Sequence, residues 1–237
     1  MKKKIIEVID LCKSFGTKKI LENLNLNIFE KESLVIIGES GSGKSVLTKC
    51  LNGLESYKDG KIIFKDQYDV KSLNKKKLNE HTAKFGVLFQ NAALFDSLTI
   101  KENIFFNKKD FEQRILEEVG LGKNILNKFP ADISIAVQKR VGLARAIISN
   151  PEILIFDEPT TGLDPIMADQ INRLIRKLVD ERKLTTITIT HDMKSVYQFA
   201  DKVAFIHNGG INWYGESKHI QKANNLTMQN FINGKFN

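Results

Sequence analysis

Apolar residues recur along this 237-residue chain in two alternating rhythms. Short runs rich in Ile and Val, namely KIIEVIDL, LNLNI, SLVIIG, KIIF, FGVLF, EILIFD, TTITIT and KVAFIHNG, have the length and β-branched content of strands. Between them the spacing lengthens to that of helices. Pro165, after Asp164, suits a first helical position, and Ile171, Leu174, Ile175 and Leu178 then recur at i, i+3, i+4 and i+7, which is one buried helix face. Strands separated by helices predict a largely parallel sheet covered on both faces. The closely spaced early strands predict a small antiparallel lobe around residues 1–30 and 60–70. The stretch from about 91 to 150 reads as mainly helical, and a short helical tail is expected over about 216–237. With no internal repeat, low-complexity linker or long heptad insertion, the expected organisation is one α/β domain over 1–237.

Composition supports a filled core, at 42% hydrophobic and 27% charged residues. A net charge of +8 would suit an anionic partner, but the lysines are scattered through MKKK, TKK and NKKK. That is a compositional bias rather than one basic face, so no nucleic-acid interface is expected. Cys12 and Cys50 form no CxxC pair, which removes support for a disulfide framework or a zinc site. No apolar run approaches the roughly 18 residues that span a bilayer, and acids interrupt MKKKIIEVIDLCK too early for a secretory signal. A cytoplasmic location follows as an expectation.

Residues 38 to 45 read GESGSGKS, which fills the pattern GxxxxGK[ST] between the strand SLVII and the helix SVLTKCLNGL. Gly38, Glu39, Ser40, Gly41, Ser42 and Gly43 would let backbone amides curl around a phosphate at the positive end of the helix. Lys44 would reach the terminal phosphates and the Ser45 hydroxyl would bind Mg²⁺. The alternative is a plain Gly/Ser turn. ILIFDE supplies acids at a strand end: Asp157 suits an outer Mg²⁺ ligand and Glu158 the polariser of an attacking water, or the pair merely opens the EPTTGLDP turn. His191 follows TTITIT and Gln90 follows FGVLF, and residues so placed project at the carboxyl edge of a parallel sheet, where ligands bind, unless they are local caps. Ser134, in ADISIAVQKRVGLARAI, either caps the following helix or points at a ligand.

These elements, in this order and over nearly the whole chain, resemble the nucleotide-binding subunit of ABC transporters. The resemblance implies a P-loop NTPase fold of ABC type, with a mainly parallel sheet flanked by helices, a small antiparallel β lobe and a helical signature subdomain. It implies ATP and Mg²⁺ as cofactors. The catalytic set would be Glu158, His191, Lys44 and Gln90, and the Mg²⁺ set Ser45, Gln90 and Asp157. In that family two subunits close head to tail on ATP, and the serine of an LSGGQ-like signature acts in trans; Ser134 aligns with it. Phe15, in KSFG, takes the place of the ring that stacks on adenine, unless it is a core residue. Asp164 matches a loop that crosses the dimer seam, or only the N-cap before Pro165.

Finer matches, SVLTKCLNGL, GVLFQNAALFDSLTIKENIFF, DEPTTGLDPIMADQINRLI, GGINWYGE and QNFINGKF, resemble the ATPase of Mla/Mkl-type phospholipid transporters. LFDSLT and the INWYG turn are the most telling. That resemblance implies an integral-membrane permease, a second copy of the chain and a mammalian-cell-entry-type lipid-binding protein as partners, with the ATPase peripheral on the cytoplasmic side of the inner membrane. Segment 91–106 would form the groove for a permease helix, or else pack in the core. The chain departs from the family where Ile135 and Ala136 replace the signature glycines, so a β-branched side chain stands where close approach to phosphate is needed. Three readings stay open: a working ATPase with a tuned rate, an ATP-binding conformational module that hydrolyses very slowly, or an ABC ATPase that imports another small substrate. An ABC ATPase of DNA repair or translation lacks support, because the chain has no long coiled coil and no second ATPase domain.

Overall fold

The computed structural model describes residues 2–106 and 113–235. Positions 107–112 of the predicted helical stretch and the last two residues of the predicted tail lie outside the described residues. In chain order the elements are β1 (Lys4–Phe15), β2 (Lys18–Phe29), β3 (Ser33–Gly38), α1 (Lys44–Leu51), β4 (Asp59–Phe64), β5 (Tyr68–Asp69), α2 (Lys75–Thr82), β6 (Phe85–Leu88), α3 (Ile100–Ile104), α4 (Gln113–Glu118), α5 (Ile135–Ile147), β7 (Ile153–Asp157), α6 (Pro165–Arg182), β8 (Thr185–Ile189), α7 (Met193–Phe199), β9 (Lys202–His207), β10 (Gly210–Glu216) and α8 (Leu226–Ile232). They fall into two compact units, one built from residues 2–82 and 185–235, the other from 83–184.

The first unit carries the antiparallel sheet expected from the early strands, in the order β2-β1-β4-β5. Ile6 pairs with Ile28 and Phe64, and Val8 with Leu26 and Ile62, so alternate residues of β1 bury one apolar face. The same unit holds the strand order β10-β9-β3-β8. β3 lies parallel to both neighbours, with Val35 opposite Thr188 and Val203, and all six of its residues are buried. That is why SLVIIG shows no alternation: a parallel strand covered on both faces needs none. Val35, Ile37, Val203 and Phe205 pack with Phe199 of α7 and Met228 of α8.

One expectation is corrected here. INWYG is not a turn but the edge strand β10, antiparallel to β9. The turn is Asn208–Gly209, both at positive φ, 49° and 77°, the conformation that Asn-Gly adopts in tight hairpins. α2 had no apolar periodicity to announce it: in KKKLNEHT only His81 is buried.

In the second unit β6 and β7 are parallel, with Phe85 opposite Ile153 and Leu88 opposite Phe156. Val141, Leu143 and Ile147 of α5 share a core with Leu154, Phe156, Ile171, Ile175 and Leu178, and Leu174 packs at its margin. The helix face predicted after Pro165 is therefore the buried one. α3 starts on a capping box: Thr99 Oγ1 accepts from Glu102 N at 3.3 Å, and the Glu102 carboxylate accepts from Thr99 N at 2.7 Å.

Candidate functional site

In the first unit, β3 delivers Gly38 opposite Ile206 of β9. A Cβ on Gly38 would lie 2.5 Å from the Ile206 carbonyl oxygen, so the approach admits only glycine. The loop closes through Ser42 N, which donates to the Glu39 carbonyl at 3.1 Å. Gly43 stands at φ 102°, and a Cβ there would meet Leu21 Cδ2 at 2.7 Å. Its backbone opens α1 with no capping side chain, which leaves the positive helix end to the loop. The Lys44 ammonium bends back over that loop, donating to the Gly38 carbonyl at 2.9 Å and the Glu39 carbonyl at 2.8 Å.

Two observations fit this loop to a phosphate. The Ser42 Oγ is buried with no hydrogen-bond partner, a state that a phosphate oxygen would relieve. A cavity of about 410 Å³ also opens beside it, lined by Lys18, Lys19, Glu39, Ser40, Gly41 and Ser42 among others. Phe15 ends β1 at 49% exposure, with the Lys13 ammonium 4.6 Å from its ring centroid, so it is a displayed ring and not a core residue. His191 is exposed one residue beyond the buried Thr190. The next residue, Asp192, fixes that loop by capping α7: it accepts from Lys194 N at 3.0 Å and Ser195 Oγ at 2.6 Å.

In the second unit, Asp157 ends β7 and Glu158 follows at φ 48°. A left-handed conformation at a glutamate costs about 1–2 kcal/mol, and local bonds hold it in place. Its carbonyl accepts from Thr161 N at 3.2 Å, and its Oε2 accepts from Thr161 Oγ1 at 3.3 Å. Gln90 is exposed just beyond β6, and Ala92 and Ala93 after it also sit at positive φ, 56° and 46°. Lys139 of α5 joins these segments: its ammonium donates to the Gln90 carbonyl and reaches the Glu158 carbonyl at 3.5 Å. Burial lowers its pKa, and the charges of Glu158 and Asp157 oppose that shift. Sequence reasoning passed over Lys139, although it stands four residues before Leu143 and eight before Ile147, on the buried face.

Ser134 is the N-cap of α5, its hydroxyl accepting from Val137 N at 3.4 Å, and it is exposed. Ile135 follows at 53% exposure. Asp164 caps α6, accepting from Ile166 N at 2.9 Å and Met167 N at 3.0 Å. For both residues the capping role is geometrically real, and neither cap consumes every acceptor of its side chain.

Residues 21–161, which contain the cradle and the acidic strand end, match the family model described as ABC transporter. The chain belongs to the ABC transporter family. It is an ATP-binding subunit of that family and an ATPase. Over 226 residues it is 36% identical to the methionine import ATP-binding protein MetN of Clostridium tetani, a match spanning 91% of this chain and 70% of the relative. Over 241 residues it is 35% identical to the probable ribonucleotide transport ATP-binding protein mkl of Mycobacterium tuberculosis strain H37Rv, spanning 97% and 67%. Among solved structures, the dimeric post-hydrolysis state of the ATP-binding cassette MJ0796 bound to ADP and Pi matches with a TM-score of 0.79 at 27% identity, covering 90% of this chain and 99% of that one. The two relatives are named for different cargoes, so what they share with this ABC chain is the ATP-driven part. No helix among the described residues is long and apolar enough to cross a membrane, and ABC ATPases of this kind act on a membrane permease.

Proposed function

We propose that this ABC ATPase drives phospholipid transport by an integral-membrane permease. It would work as one half of a head-to-tail pair of identical subunits, on the cytoplasmic side of the inner membrane and beside a mammalian-cell-entry-type lipid-binding protein. The observation that carries the nucleotide part is the orphaned Ser42 hydroxyl in a loop that only glycines can line at Gly38 and Gly43. Support for the lipid comes from the resemblance of LFDSLT and INWYG to Mla/Mkl-type ATPases.

Each residue then has a chemical task. Phe15 stacks on the adenine. The amides of 39–45 and Lys44 bind phosphate oxygens; Lys44 exchanges its bonds to Gly38 and Glu39 for them. Ser45, Gln90 and Asp157 are hard oxygen donors that suit Mg²⁺, which supplies charge neutralisation on the phosphates. Among the described residues no group of three or more His, Cys, Asp or Glu could hold a metal ion, so such an ion would draw on phosphate oxygens for the rest of its shell. Glu158 orients and polarises water for attack, His191 contacts the terminal phosphate, and Ser134 and Asp164 of the partner subunit complete the site.

The test of the chemistry is Glu158→Gln, which is expected to bind ATP within about threefold of the parent while phosphate release falls about a hundredfold or more. Undiminished release would remove Glu158 from its role. For the cargo, the purified complex in liposomes should move labelled phospholipid in an ATP-dependent manner. ATP-dependent uptake of methionine or a ribonucleotide, without lipid movement, would overturn the lipid reading.

A further inference from the structure

α5 presents two cations to one loop. Lys139 donates to the Gln90 carbonyl, and Arg145, a turn and a half further along, donates to the Ala93 carbonyl at 2.8 Å and the Ala92 carbonyl at 2.6 Å. The loop they hold is an unusual one, because Ala92 and Ala93 both lie at positive φ, where a side chain is disfavoured. Between the two cations, helix and loop are in close contact: a Cβ on Gly142 would sit 3.3 Å from the Ala92 Cβ. Lys139 is 1% exposed and also reaches a second segment, at the carbonyl of the left-handed Glu158.

We propose that Lys139 is a positioning residue, whose buried ammonium ties the backbone of Gln90 to the backbone of Glu158 and so fixes both catalytic side chains from the signature helix. This rests on the reading of Gln90 and Glu158 given under the proposed function. A carbonyl turned toward Lys139 dictates the peptide plane, and with it the direction in which the adjoining side chain leaves the chain. Gln90 is exposed on a loop, and Glu158 holds a disfavoured φ; neither has a regular ladder to set its direction. An ammonium has three donors and can serve both carbonyls, as a neutral apolar side chain of similar length cannot. The negative charges of Glu158 and Asp157 favour the charged form of Lys139 against its burial. Lys139 touches no substrate in this scheme and acts only through the two residues it holds.

The test compares Lys139→Met, Lys139→Gln and Lys139→Arg in the purified transporter complex, with two readouts. Steady-state ATPase should show kcat lowered about ten- to a hundredfold in Lys139→Met with the ATP KM within about twofold, because a small misplacement of a reacting group costs rate and not ground-state binding. Lys139→Arg should recover most of the loss. Hydrogen exchange without nucleotide should be about tenfold faster at the amides of 90–93 and 158–161 in Lys139→Met, and unchanged in the middle of α5. A kcat within twofold of the parent, or a KM that rises in step with the fall in kcat, would overturn the proposal. So would unchanged exchange at both segments. Where Lys139→Met does not fold, Lys139→Gln, polar and neutral, takes its place in both readouts. A parent complex that binds ATP but never hydrolyses it would refute the hydrolytic reading instead, and the exchange result would then decide the positioning role by itself.

Discussion

Cys50 is fully buried on α1, and burial pushes its thiol up to about 11 against the opposing charge of Lys13. In the unfolded chain the thiol ionises near its ordinary value of 9.0, while the folded thiol keeps its proton to about 11. The folded state thus binds more protons in that window. Its contribution is fully present below pH 9 and is lost as pH rises toward 11. The stability of the parent relative to Cys50→Ala, from denaturant unfolding, is expected to fall through this range by up to about 1.4 kcal/mol per pH unit. A difference that stays flat with pH would refute this account. At pH 8, a thiol reagent should label Cys12 and spare Cys50 until the protein unfolds. The helix around Cys50 was readable in SVLTKCLNGL, but the depth of its burial was not. The same holds for Glu158: its place at a strand end and the turn that follows were legible, whereas the Lys139 ammonium that reaches its left-handed backbone from nineteen residues away was not.

At the scale of elements, α5 shows where pattern and function part. Its buried face, Val141, Leu143 and Ile147, follows from periodicity, and Ser134 is the cap that its position suggested. Ile135 is exposed, so it was not selected by the core. Replacing Ile135 and Ala136 by glycine should therefore cost little packing: at most about 1 kcal/mol for each glycine in the first turn, and about 2–4 °C in Tm for each kcal/mol. Under the working-enzyme reading the parent turns over ATP and the double variant does so faster, by up to about tenfold. A parent with no turnover that the two glycines restore would instead identify a conformational module. The parallel strands were legible for one physical reason, burial on both faces, as in β3. β10 was not, because an edge strand with partly exposed residues throughout lacks both the continuous apolar run and the alternation. The Asn208–Gly209 pair was the signal that marked its hairpin.

For the whole molecule, the question is how ATP turnover reaches a membrane that this chain has no described helix to enter. The segment 91–106 supplies the candidate surface. Phe95 and Phe106 are each about half exposed, 50% and 51%, and stack on one another with centroids 5.5 Å apart. Phe95 and Phe106 thus stand outside the core, while Ile100, Ile104 and Phe105 of the same segment pack within it. The loop beneath is tied by a separate residue: Asn103, fully buried, accepts from Phe95 N at 2.8 Å and donates to the carbonyls of Phe95 and Leu98, each at 3.1 Å. Asn103 thus holds the loop that presents the ring pair, while Phe95 itself is half exposed. An exposed, held aromatic pair is apolar area that a permease helix would cover. Phe95→Glu is accordingly expected to fold, to keep its Tm within about 3 °C and to bind ATP as the parent does. It should lose co-purification with the permease, and with it any stimulation of ATP turnover by that partner. Asn103→Ala leaves the Phe95 amide without its acceptor and should lower stability by about 1–3 kcal/mol. A Phe95→Glu chain that fails to fold would return this ring to the core. One that folds and still co-purifies would move the permease contact elsewhere on the molecule.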